Sequence, residues 1–153
     1  MNTAQIVLIE DSPADVLLID LALKETGIRY ELTRFASGRE ALAQLGPAEG
    51  AVATALKPDV ILLDLNTPKS DGFEILRKLK LIPECAQVPI AIISSSPLTE
   101  NAAAQLGSNR YIQKPSELDE FLAVIGQAVT QMLNQQMLNQ QMLNRQMLKQ
   151  GPC

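Results

Sequence analysis

The chain has 153 residues, of which 46% are hydrophobic and 20% charged, and its formal net charge is −4. This length and composition suit one globular domain, and the acidic balance argues against nucleic-acid and anionic-membrane partners. No apolar run reaches the roughly 20 residues of a membrane span, so a cytoplasmic protein is expected. Histidine is absent, which excludes Ser–His and Cys–His catalysis and imidazole metal ligands within this chain. The two cysteines, Cys85 and Cys153, are too few for a disulfide framework or a zinc site.

Short apolar runs alternate along the chain with amphipathic segments. The runs typical of strands are residues 4–9, 29–35, 59–64, 88–94 and 109–113. Helical patterns follow them at residues 12–27, 37–45, 71–80, 98–106 and from 116 onward. Residues 46–56 are rich in Ala and Gly, and we interpret them as a loop with a short helical piece. Five βα repeats predict a parallel sheet with helices on both faces, wound right-handed.

Three serines stand at predicted helix starts. Ser12 precedes Pro13, which suits the first position of a helix, and Ser37 and Ser116 precede the second and last helical patterns. A serine hydroxyl there can accept a hydrogen bond from a backbone N–H that has no partner within the helix. We therefore predict Ser12, Ser37 and Ser116 as N-caps.

From residue 131 the sequence becomes a repeat of Gln-Met-Leu followed by Asn or Lys. These residues favour helix, but a five-residue period advances about 140° per repeat and makes no heptad seam. Two interpretations stay open: a frayed or loosely helical repeat expansion, or an exposed apolar helix that pairs with another subunit in a homodimer. We divide the chain into a domain at residues 1–130 and a tail at 131–153, an extended helix or disordered, with no output domain.

Polar side chains stand at the ends of four predicted strands: Glu10 and Asp11, then Asp64, Ser94 and Lys114. Because the carboxyl ends of parallel strands meet at one edge of the sheet, these groups are expected to converge. Crowded carboxylates repel one another unless a cation lies among them, and Mg²⁺ prefers oxygen ligands. A lysine and a hydroxyl opposite them would suit an incoming phosphoryl group.

This combination resembles the receiver domains of two-component response regulators, the CheY-like family, over about residues 4–130. The motifs that carry the resemblance are Glu10-Asp11, Asp64-Leu-Asn66-Thr-Pro68 with Asp71-Gly72, Ser94, and Tyr111-Ile-Gln-Lys114-Pro115. The resemblance implies a flavodoxin-like (βα)5 three-layer sandwich whose five-stranded parallel sheet has the order 2-1-3-4-5. Residues 10–15, and the long segment before the third strand, are similar to single-domain regulators of phytochrome-type histidine kinases.

The resemblance also implies roles for the site residues. Asp64 would be the phosphoacceptor. Asp11 would bind Mg²⁺ directly, and Glu10 would act mostly through a bound water. The backbone carbonyl of Asn66 would complete the protein ligands. Lys114 would pair with the phosphoryl oxygens.

Two further residues would form the switch of such a receiver. Ser94 would turn to the phosphoryl group, and Tyr111 would move into the space that Ser94 leaves. The peptide bond between Lys114 and Pro115 is often cis in this family. The donor would be a histidine kinase, such as one of the phytochrome type, or a phosphotransfer protein, because the chain has no histidine of its own. The protein would signal through protein–protein contacts and would not be an enzyme, apart from self-catalysed transfer and hydrolysis at its own aspartate.

Three other functions have partial support in the sequence. A phosphatase of the haloacid-dehalogenase class needs a second aspartate two residues after the nucleophile, where this chain has Asn66. A flavin-binding module would need to hold a phosphate after the first strand, where Glu10 and Asp11 would repel it. A degenerate receiver that acts only as an interaction or oligomerisation scaffold stays open.

Overall fold

A computed structural model of the chain describes residues 3–46, 57–64, 72–107 and 109–149. Strands and helices alternate among these residues. In chain order they are β1 (Ala4–Ile9), α1 (Pro13–Glu25), β2 (Tyr30–Phe35), α2 (Gly38–Leu45), β3 (Val60–Asp64), α3 (Gly72–Leu81), β4 (Ile90–Ser94), α4 (Glu100–Leu106), β5 (Arg110–Gln113) and α5 (Leu118–Lys149). Residues 47–56, which make up nearly all of the predicted loop with a short helical piece, and residues 65–71 lie outside the described part of the chain.

The five strands form one parallel sheet in the order β2-β1-β3-β4-β5. This confirms the predicted fold class and strand order. Every residue of the central strands β3 and β4 is buried, as expected for parallel strands covered on both faces. The edge strand β2 is mostly half-exposed and ends in the buried Phe35.

The core consists of two layers, one on each face of the sheet. Because successive side chains of a strand point to opposite faces, Leu62 belongs to the layer under α1 and α5, and Ile61 to the layer under α2 and α3. Both side chains have no exposed surface. Because β3 lies between two layers of helices, its side chains on both faces have to be apolar, which explains the unbroken apolar run.

The helix starts agree with two of the three predicted caps. Ser12 and Ser37 each accept a hydrogen bond from the backbone N–H three residues on. The cap predicted at Ser116 is wrong by one position, since the carbonyl of Glu117 accepts the first helical hydrogen bond, from the N–H of Phe121 at 3.0 Å. Helix α5 then begins at Leu118.

Helix α5 continues through the repeat. The last buried side chain of this helix is that of Met132, which is 2% exposed, and the methionines and leucines beyond residue 136 lie 57–81% exposed. These exposed residues are Met137, Leu138, Met142, Leu143, Met147 and Leu148. No helix among the described residues is long and apolar enough to cross a membrane.

Candidate functional site

Three strands deliver charged side chains to one edge of the sheet. Glu10 directly follows β1, Asp64 is the last residue of β3, and Lys114 directly follows β5. Glu10 and Asp64 are each only 1% exposed. A buried charge is costly unless it is paired and hydrogen-bonded, so the protonation and partners of these acids decide what the site can do.

Lys114 is the cation at this edge of the sheet. Its Nζ lies 2.6 Å from Oδ2 of Asp64 and 3.3 Å from Oδ2 of Asp15, and the side chain is 12% exposed. Burial by itself would lower the pKa of Lys114. The hydrogen bond and attraction of Asp64, followed by the charges of Asp15 and Glu10, outweigh that effect and raise the pKa. Lys114 is therefore fully charged at neutral pH.

Glu10 is held between a donor and another acid. Its Oε1 accepts a hydrogen bond from the backbone N–H of Ser12 at 3.0 Å, while Oε2 is buried and accepts none from the described residues. Burial raises the pKa of Glu10 to about 8, helped by a hydrogen bond with Asp64 and its charge, and opposed by Ser12 and Lys114. A protonated Oε2 can donate to Asp64, but an ionised one has no donor. Without a cation, Glu10 therefore keeps its proton at neutral pH.

The acidic cluster differs from the predicted one in a single member. Carboxylate oxygens of Glu10, Asp15 and Asp64 lie within 4.8 Å of one another. Asp11, predicted as a ligand, is exposed and lies outside this cluster. Asp15 was not predicted from the sequence as a residue of the site. The signal that points to it is its position in the first turn of α1, immediately after the carboxyl end of β1.

The turn that carries the acids is fixed from the neighbouring strand. Arg34 of β2 donates from Nε to the carbonyl of Glu10 and from Nη2 to the carbonyl of Asp11, both at 3.0 Å. Hydrogen bonds from a charged donor are stronger than neutral ones. Arg34 therefore restrains the backbone that turns Glu10 into the site.

The two predicted switch residues are connected through Ser96. Ser94, which is 4% exposed, accepts a hydrogen bond on Oγ from the N–H of Ser96 at 3.1 Å. The hydroxyl of Tyr111 donates to the carbonyl of Ser96 at 2.5 Å, and its ring packs against the core layer under α2 and α3. The backbone N–H of Lys114 donates to the carbonyl of Ser94 at 2.7 Å. The serine, the tyrosine and the lysine thus belong to one connected group.

Two expectations from the resemblance fare differently. The bond between Lys114 and Pro115 is trans, so the expectation of a cis bond is wrong. A trans bond is the ordinary state of most X–Pro bonds. Asn66, whose carbonyl was predicted as a ligand, lies outside the described residues, and its role stays a prediction.

The fold and this acidic edge, with a lysine beside a buried aspartate, define a receiver-type α/β protein. Residues 6–126 match the model of the response regulator receiver domain, and the chain belongs to this family. It is a signalling protein of the two-component type, which removes the phosphatase and flavin-module alternatives.

Similar proteins include regulators linked to phytochromes. Response regulator Rcp1 of Synechocystis sp. is 34% identical over 122 residues, covering 78% of this chain and 82% of Rcp1. The crystal structure of the phosphorylated cyanobacterial phytochrome response regulator RcpA is 33% identical with a TM-score of 0.68, covering 83% of this chain and 91% of RcpA. The crystal structure of the Mn²⁺-bound form of Rcp1 is 33% identical with a TM-score of 0.65, covering 80% of this chain and 89% of the Rcp1 chain.

Proposed function

We propose that this receiver accepts a phosphoryl group on Asp64 from a phosphohistidine of a partner protein, with Mg²⁺ as the cation. The observation that carries the proposal is the pairing of the buried Asp64 carboxylate with the ammonium of Lys114 at 2.6 Å, beside a second buried acid, Glu10. A carboxylate nucleophile needs positive charge beside it, because negative charge collects on the phosphoryl oxygens during transfer.

The residues present fit a hard divalent cation. All three clustered side chains offer oxygen, and Oε2 of Glu10 is buried without a donor from the described residues. Mg²⁺ prefers a few carboxylate ligands and retained waters, and when bound it would neutralise charge on the carboxylates and the phosphoryl group. Glu10 and Asp64 would hold it. Asp11 as a direct ligand and the carbonyl of Asn66 stay predictions. The Mn²⁺-bound form of Rcp1 supports the proposal, since a similar receiver binds a divalent cation.

The transfer would proceed by attack of an Asp64 carboxylate oxygen on phosphorus. The P–O bond forms, the P–N bond to the donor imidazole breaks, and the imidazole leaves with the bonding electron pair. Lys114 stays charged throughout and would move its hydrogen bond from Asp64 to a phosphoryl oxygen. The hydroxyl of Ser94 would leave the N–H of Ser96 and donate to another phosphoryl oxygen.

The output would pass through the connected serine and tyrosine. When Ser94 turns away, the N–H of Ser96 loses its acceptor, and the loop whose carbonyl holds Tyr111 is released. A changed surface around α4, β5 and α5 would then bind a partner protein. Since the chain has no histidine, the donor is another protein in the cytoplasm, a histidine kinase of the phytochrome-linked kind or a phosphotransfer protein.

We also propose that a second copy of the chain can pair through the exposed apolar part of α5. The test is sedimentation velocity of the full chain and of the double variant Leu138→Gln, Met142→Gln, with Leu17→Gln as control. Leu17 is also exposed, at 70%, but lies on α1. The tail variant should be monomeric and the control dimeric. An equal mass for all three would contradict pairing through the tail.

Intact-mass spectrometry tests the proposed phosphorylation. Wild type is incubated with acetyl phosphate, and separately with a phosphorylated histidine kinase, with and without Mg²⁺. We expect an adduct of about 80 Da, the mass of one phosphoryl group, only with Mg²⁺. Asp64→Asn should gain none, while Asp119→Asn, an exposed acid of α5, should behave as wild type. A wild type without a Mg²⁺-dependent adduct from either donor would contradict the proposal.

A further inference from the structure

We infer that Asp15 is a third acidic residue of the divalent cation site, and that Lys114 holds its carboxylate only while no cation is bound. The inference rests on the proposed function, because it concerns the same edge of the sheet. It adds a residue to which neither the sequence motifs nor the family resemblance gave a role in the site.

The spacing of the oxygens is that of a cation site. Oxygens on opposite sides of one Mg²⁺ or Ca²⁺ ion lie roughly 4 to 5 Å apart, twice the metal–oxygen distance. The carboxylate oxygens of Glu10, Asp15 and Asp64 lie within 4.8 Å of one another. They can therefore contact one ion, or a water bound to it, without a change in the backbone.

A second observation points to a ligand. Oε2 of Glu10 is buried and accepts no hydrogen bond from the described residues. An ionised buried oxygen without a donor is costly, so this side chain needs either a proton or a cation. Because Glu10 belongs to the cluster that contains Asp15, the same cation would serve both residues.

The contacts of Lys114 describe the state without a cation. One ammonium is shared between Asp64 at 2.6 Å and Asp15 at 3.3 Å. Three acids against one lysine leave the cluster negative when all are ionised. Asp15 is the most exposed of the three, with 34% of its side chain accessible. It thus lies on the solvent side, where an ion enters, and can exchange Lys114 for that ion.

Asp15 also has a structural role that the test must separate. It lies in the first turn of α1, where an acid stabilises the helix by its charge, and its N–H donates to Oγ of Ser12 at 3.4 Å. If Asp15 had only this structural role, its substitution would change the thermal stability and leave the cation affinity unchanged.

Binding of Mn²⁺, followed by electron paramagnetic resonance of the free ion, measures the cation site without phosphorylation. The proteins are wild type, Asp15→Asn, Asp15→Glu and the control Glu25→Gln, which makes a similar charge change at the other end of α1, about 15 Å away. We expect the Kd of Asp15→Asn to rise about tenfold, from the loss of a charged carboxylate that contacts the ion or a water bound to it. Glu25→Gln should stay within about twofold, and Asp15→Glu should recover most of the affinity.

The same titration at 0.5 M KCl separates a residue of the site from a remote charge, because salt screens exposed charges beyond a few ångströms. The loss in Asp15→Asn should persist. An unchanged Kd, a loss that disappears at high salt, or a lower Tm with an unchanged Kd would overturn the inference while leaving phosphorylation of Asp64 standing. If wild type binds no Mn²⁺, the inference and the cation of the proposed function fail together.

Discussion

The stability of the cation-free protein should fall as the pH rises from 5.5 to 8. The pKa of Glu10 is about 8 in the folded chain and 4.5 as its ordinary value, mainly because of burial. A raised folded pKa means that the stabilisation is complete below pH 4.5 and is lost as the pH rises through about 8. Each pH unit between these values removes at most about 1.4 kcal/mol of unfolding free energy.

Urea denaturation in EDTA at pH 5.5, 6.5 and 7.5 measures this slope. The window is favourable because the chain has no histidine, and because the pKa values of Tyr30 and Cys85 are raised from ordinary values of 10.0 and 9.0. We expect the unfolding free energy of wild type to fall by about 1–3 kcal/mol relative to Glu10→Gln, which has no such proton. Saturating Mg²⁺ should remove the fall. Parallel curves for the two proteins in EDTA would refute the reasoning.

Three further substitutions test the supports of the site and the core. Arg34→Met removes both hydrogen bonds to the backbone carbonyls of Glu10 and Asp11. The Mn²⁺ affinity should fall several-fold, and the free energy of unfolding should drop by about 1–2 kcal/mol. Gly38→Ala places a Cβ against the side chain of Ile75 and should cost about 1–3 kcal/mol in urea denaturation, less when Ile75 is changed to Val. Leu62→Ala should cost about 2–5 kcal/mol by the same method.

The sheet could be predicted from the sequence because its strands carry a strong local signal. Five apolar runs, each bounded by turn or capping residues, gave the strands to within two residues at either end. The charged residues at the ends of β1, β3 and β5 could also be placed at one edge of the sheet, because parallel strands share a direction. Glu10, Asp64 and Lys114 were therefore brought together correctly.

Asp15 could not be placed in this way. Its local pattern is that of an acid in the first turn of a helix, and that interpretation is also true. Its contact with Lys114 joins residues 99 positions apart, and depends on how closely α1 approaches the end of β5. Helical packing of this kind leaves no periodicity in the sequence. The links of Ser94 and Tyr111 to Ser96 are likewise set by the path of a loop.

The exact start of α5 was missed for a smaller reason. A serine is the more usual cap, but Glu117 supplies the carbonyl that accepts the first helical bond. Helix ends depend on one or two backbone angles that composition does not determine.

The central claim, that Asp64 carries the phosphoryl group, is tested most directly by reductive trapping. The protein is phosphorylated in Mg²⁺ and treated with borohydride, which reduces an aspartyl phosphate to homoserine, and its peptides are sequenced by mass spectrometry. We expect homoserine at position 64 alone, and none when Mg²⁺ is omitted. Homoserine at any other aspartate, or a phosphorylated protein that gives none, would contradict this expectation.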